Sequence, residues 1–132
     1  GLWVGIWDRV QNYFDKPDAE RDYSKIIEGG AGGKDRCLGA AMMIQLKYAY
    51  GDNFYHQLHK RTRIEKPNLS SAEDKYKYFM LKACQISGHD LTAFFKKWGF
   101  KYPDTYTAIA GLNLPKPATD PSSLFNGDTP IK

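Results

Sequence analysis

His56 and His59 stand three residues apart in FYHQLHKRTRI, and among all the side chains of this sequence they come nearest to a metal-binding spacing. Helix-borne zinc pairs use positions i and i+4 with a glutamate between them, so that two imidazoles and a general base converge on one ion. This pair has neither that spacing nor the glutamate, and Lys60, Arg61 and Arg63 follow at once. The reading that fits is a solvated basic face, on which His56, His59, Lys60 and Arg63 are available for surface contact. No residue is assigned as a metal ligand, a cofactor ligand or a catalytic group. Nucleophilic catalysis would need a thiol beside a base in polar surroundings. Cys37 and Cys84 instead fall among apolar neighbours, so two reduced, buried thiols are expected, with a disulfide as the alternative that spacing does not decide. The carboxylate pairs Asp15 with Asp18 and Glu73 with Asp74 lie at helix starts, where they complement the macrodipole. His89, beside Asp90, reads as a turn residue.

The stretch EGGAGGKDR, residues 28 to 36, imitates a phosphate-binding loop. Its spacing fails the test, because counting back from Gly33 to the first required glycine reaches Glu28, a carboxylate, and Asp35 occupies the magnesium-binding Ser/Thr position. The dinucleotide pattern fails too, since Gly30 and Gly32 would need a third glycine at 35. What precedes is DAERDYSKII, a short helix rather than the strand both motifs depend on. A flexible connector is therefore expected here.

The elements around these residues are all helical in period. Trp3, Ile6, Trp7, Val10, Tyr13 and Phe14 recur at three and four over residues 2–14. A shorter segment carries Tyr23, Ile26 and Ile27, and Asp35 to Tyr50 is apolar nearly all round, its CLGAAMMI run broken only afterwards by Gln45 and Lys47, as expected for a central helix. Gly51 and Asp52 make a tight corner in which Asp52 is expected to cap the histidine helix. Ser70 with Glu73 reads as a capping box for the helix of Tyr76, Phe79, Met80, Ala83 and Cys84. Gly88 ends that helix, Asp90 caps the next, and Leu91, Phe94, Phe95 and Trp98 form its core stripe up to Gly99. The two glycine corners hint at a helical repeat, but a stable solenoid needs about three units. Phe100, Tyr102 and Tyr106, beyond Gly99, are the aromatics expected at the surface. After a last turn around Thr105 to Ala110, prolines 115, 117, 121 and 130 argue for an extended tail. The expected architecture is all-α: a bundle of about six helices over residues 1–114, with an extended Pro-rich tail over 115–132.

Composition narrows the partners. With 132 residues, 42% of them hydrophobic, the chain can bury a single core without staples. Its 19 basic and 15 acidic residues leave a net charge of +4. That is a mild excess without the basic stripe that nucleic-acid binding requires, so no nucleic acid is expected as a partner. No apolar run approaches the ~18 residues of a membrane span. Asn68-Leu69-Ser70 matches a glycosylation acceptor, a motif short enough to arise by chance. Opening on Gly1 directly into a helix, the chain is expected to be a piece of a longer protein.

Three stretches in order, AMMIQLKYAYGDNFYHQLHKRTR, SSAEDKYKYFMLKACQISGHDLTAFFKKWGF and IAGLNLPKP, resemble the C-terminal helical part of the enhancin-like zinc metallopeptidases. Those enzymes cleave mucins and other glycoproteins. The resemblance spans about residues 37–117 and rests on the order of features from the buried helix through the Gly-Asp corner to Trp98-Gly99. The family's zinc sits on an HExxH helix and a downstream glutamate, and this sequence contains no HExxH. No family zinc ligand or base can therefore be carried over to any residue here. The resemblance implies a supporting subdomain that walls one side of a peptidase cleft in a secreted or cell-surface protein. Its partners would be the remainder of the parent peptidase, which would hold the zinc, and a glycoprotein substrate. An independent helical module binding protein or glycan through the His56–Arg63 face is the alternative the residues leave open.

Overall fold

The computed structural model describes residues 5–29 and 35–124, and every regular element within them is helical. Ile6, Trp7, Val10, Tyr13 and Phe14 form the buried face of α1 (Ile6–Phe14). A 3-10 turn at Asp18–Glu20 leads to α2 (Tyr23–Glu28), capped by Asp22, whose carboxylate accepts the Ser24 N–H at 3.1 Å. Gly29 ends α2 with φ +93°; Gly30, Gly32 and Gly33, which the sequence reading assigned to a flexible connector, lie outside the described residues. Beyond them Asp35 caps α3 (Arg36–Tyr50) by accepting the Leu38 N–H at 3.0 Å, and its own N–H bonds the Ile26 carbonyl at 2.9 Å. The residue in the magnesium position of the false phosphate loop is thus a helix cap, ion-paired with Arg9.

Central α3 packs on α1, α2 and α4 (Asn53–Glu65), and α4 returns along α5 (Ala72–Ser87). Two of the expected caps are corrected. Asp52 does not cap α4 through its side chain: it is already in helical conformation, and its carboxylate faces Lys47 at 3.5 Å. Gly51, at φ +83°, makes the corner, and its carbonyl takes the Phe54 N–H at 3.3 Å. At α5 the cap is Ser71 rather than Ser70, with the Ser71 hydroxyl accepting the Asp74 N–H at 3.1 Å while Ser70 donates to the Asp74 carboxylate. Adjacent serines made the register ambiguous. Asp90 accepts the Thr92 N–H at 2.9 Å at the head of α6 (Thr92–Trp98). The last turn is a nine-residue helix, α7 (Pro103–Gly111), opened by a proline whose fixed φ suits a first helical position.

The core closes around Trp98. Its ring stacks on Tyr13 at 5.6 Å between centroids and meets Phe14 and Tyr23 edge-on, while the Tyr13 hydroxyl donates to its carbonyl at 2.6 Å. Fully burying aromatics of this size stabilises by about 3 kcal/mol each. Phe100 is a correction: expected at the surface, it is 2% exposed. Gly99, in the left-handed region, turns the chain so that the Phe100 N–H reaches the Phe95 carbonyl at 3.0 Å and its ring stacks on Tyr23 at 4.5 Å. Gln45, the polar break in α3, is wholly buried; it accepts from the Trp98 indole N–H at 2.9 Å and donates to the Ser122 carbonyl at 3.1 Å and the Leu124 carbonyl at 3.3 Å. Residues 115–124 are thereby strapped to the helices, ending in a 3-10 turn at Pro121–Ser123 with Pro121 and Ser122 buried. The segment has no regular structure at 115–117, bends at 118–119 and turns at its end, where Asp120 accepts the Ser122 N–H at 2.9 Å.

Candidate functional site

On α4, Phe54 and Leu58 face the core, and the register i, i+3, i+4, i+7 therefore sends His56, His59, Lys60 and Arg63 outward. All four are exposed, along a line of about 10 Å at 1.5 Å per residue. The helix is held from behind by the Tyr55 hydroxyl, which donates to the Met43 carbonyl at 2.6 Å. Its only acid, Glu65, is tied away from the stripe by the Lys82 ammonium and the Tyr78 hydroxyl, both at 2.9 Å; these two bonds hold its carboxyl below the ordinary value. Among the described residues none of the four stripe side chains pairs with a carboxylate. The stripe is a row of basic side chains with no carboxylate partner among the described residues.

Zinc chemistry does not fit this donor set. No group of three or more His, Cys, Asp or Glu side chains converges among the described residues, and a catalytic zinc needs three protein ligands with one position left open. His56 and His59 supply two imidazoles on an exposed surface without the carboxylate or carbonyl acceptors that orient ligating rings.

The cysteines divide. Both are free thiols, but only Cys84 is buried, and burial pushes its thiol up to about 11, away from the thiolate a nucleophile needs. Cys37, expected to be buried, is half-exposed near the start of α3. His89 has a partner that sequence reasoning missed: its Nδ1 lies 2.9 Å from the Tyr50 hydroxyl. The two residues are 39 positions apart, and no local pattern signals such a pairing.

A second candidate surface is concave. A cleft of about 810 Å³ opens between the start of α6, the outer face of α7 and the strap at 116–120. Apolar side chains such as Leu91, Ala93 and Phe94 line it together with the charged Asp90, Lys96, Lys116 and Asp120. Lys96 holds its ammonium 5.3 Å from the centroid of the Tyr106 ring, and the Tyr106 hydroxyl donates to the Phe100 carbonyl. Lys96 and Tyr106 also line a smaller hollow of about 460 Å³ that includes Tyr102, whose ring carries Lys77 at 5.9 Å. Tyr102 and Tyr106 are half-buried, each with a cation over its ring.

Residues 3–99 match the family model described as peptidase M60, enhancin and enhancin-like. The match takes in α1 through α6 and stops short of α7 and the strap, so the IAGLNLPKP stretch lies beyond it. No curated protein and no solved structure matches the chain.

Proposed function

Because the chain belongs to the peptidase M60, enhancin and enhancin-like family, we propose that it is the helical, non-catalytic part of a zinc metallopeptidase acting on mucin-type glycoproteins. The observation that carries this reading is the family match over residues 3–99, taken with a sequence that contains no HExxH. In this role the helices buttress one wall of the substrate cleft, the parent protein is secreted or displayed at the cell surface, and the parent supplies the zinc. No helix among the described residues is long and apolar enough to cross a membrane. The outward stripe of His56, His59, Lys60 and Arg63 is the contact face, toward the rest of the peptidase or toward substrate.

The exposed stripe also favours a second reading, an independent interaction module that binds protein or glycan and has no enzymatic role. One experiment separates the two. The full product of the encoding gene is assayed for zinc-dependent cleavage of mucin, with and without the substitution Phe94→Ala, which empties a core position. A peptidase subdomain predicts cleavage that the core variant abolishes. Absence of cleavage, together with absence of an HExxH helix from the full product, would favour the interaction module.

A further inference from the structure

We propose that the cleft between α6, α7 and the strap is a binding site for a short, uncharged oligosaccharide, a proposal that rests on the glycoprotein-directed reading for the source of the sugar. Its volume of about 810 Å³ falls within the ~300–1,000 Å³ of small-ligand sites. Four charged side chains surround it, and they do not neutralise one another. Among the described residues, neither Lys96 nor Lys116 has a carboxylate within ion-pair distance. Asp90 and Asp120 each use one oxygen to accept a backbone N–H, from Thr92 and Ser122, both at 2.9 Å. The second oxygen of each carboxylate has no donor among the described residues.

Three of these four groups are held in place. The two aspartates are fixed by their backbone donors, and Lys96 rests over a tyrosine ring that is itself anchored by its hydroxyl to the Phe100 carbonyl. The strap that forms the outer wall is fastened at both ends. The Asp90 N–H bonds the Pro115 carbonyl at 2.8 Å, and buried Gln45 holds the carbonyls of Ser122 and Leu124. The cleft is therefore preformed, which spares a ligand the ordering of its walls.

Charge decides the ligand class. Two ammonium groups and two carboxylates make a site that is neutral overall, so a simple anion or cation would meet like charge as well as opposite charge. A hydroxyl both donates and accepts, and a ring bearing several hydroxyls satisfies ammonium and carboxylate together. The carbon-bound faces of such a ring would lie on Ala93, Ala110 and Pro117, which line the same cleft.

The test is a titration of the ¹⁵N-labelled chain with galactosyl-N-acetylgalactosamine and with maltotriose, followed by amide chemical shifts; sodium acetate and an unglycosylated Ser/Thr peptide are run in parallel. Saturable shifts confined to residues 90–96, 106–110 and 116–120 are expected with at least one sugar. Lys96→Gln and Asp120→Asn should each weaken that binding about tenfold. The amide oxygen of Asn can still accept the Ser122 N–H, so that variant keeps its turn, and Lys25→Ala at an exposed position of α2, outside the cleft and the α4 stripe, should leave sugar binding unchanged. The proposal is overturned if neither sugar moves the cleft amides, if acetate or the bare peptide moves them in the same saturable way, or if the cleft variants bind as the parent does. A full gene product that cleaves glycoprotein while the cleft ignores sugars removes this inference alone. Sugar binding in the cleft of a product that cleaves nothing removes the peptidase reading alone.

Discussion

A β-carbon added at Gly99 would lie 2.6 Å from the carbonyl carbon and oxygen of Arg21 and 2.8 Å from the Asp22 nitrogen, and the backbone there stands at φ +89°. None of those neighbours is a flexible side chain, so nothing can give way cheaply. Gly99→Ala is expected to destabilise by about 3 kcal/mol or more. Gly51 shares a positive φ of +83° but has nothing within 4 Å, so Gly51→Ala should lose only the left-handed preference, about 1 kcal/mol. Urea denaturation of the pair reads the difference, and equal losses would show that Gly99 is not a close backbone contact. The thiols give a second residue-level expectation. In the native chain iodoacetamide should label Cys37 and spare Cys84, whose buried thiol is pushed up to about 11; both should react after unfolding. Mass spectrometry counts the adducts, and rapid double labelling of the folded chain would contradict the burial of Cys84.

At the scale of elements, α3 depends on a side chain that looks out of place in it. Gln45 satisfies the Trp98 indole and two strap carbonyls at once, so Gln45→Leu leaves one buried donor and two acceptors unpartnered. A loss of about 2–4 kcal/mol is expected, together with faster hydrogen exchange at the Trp98 indole N–H. Unchanged indole exchange would show that the strap is held by other contacts. Most of the helices were legible because their apolar residues recur at helical spacing, and Leu91, Phe94, Phe95 and Trp98 are buried as that spacing requires. What the sequence hid is long-range. Gln45 meets Ser122 across 77 positions and Tyr50 meets His89 across 39, and no local period encodes either contact. Phe100 misled for a related reason: Gly99 ends the stripe, yet its left-handed turn sends the next ring back into the core. Of the candidate surfaces, the α4 stripe could be read from helical register, whereas the cleft needed the strap and α7 to be placed against α6.

For the molecule as a whole, alkali should unfold it. Burial raises the phenols of Tyr13, Tyr23, Tyr55 and Tyr106 above the ordinary 10.0, and Cys84 moves up from 9.0. Below those ordinary values both the folded and unfolded chains are protonated, and the full stability is present. As pH rises past about 9 to 10 the unfolded chain ionises first, so stability falls progressively as the raised values are approached. Phenolate absorbance and helical circular dichroism should therefore change together, above the range of free tyrosine. Phenols titrating near 10 with the helices intact would contradict the aromatic core.

The central claim is that these helices belong to a zinc metallopeptidase without holding its zinc. Elemental analysis and mucin turnover, measured side by side on the purified chain and on the full product of its gene, test it most directly. The expected result is substoichiometric zinc and no turnover for the dialysed chain, with about one zinc and chelator-sensitive cleavage for the full product. About one zinc per isolated chain, lost on His56→Ala with His59→Ala, would contradict the claim and place a metal centre on α4.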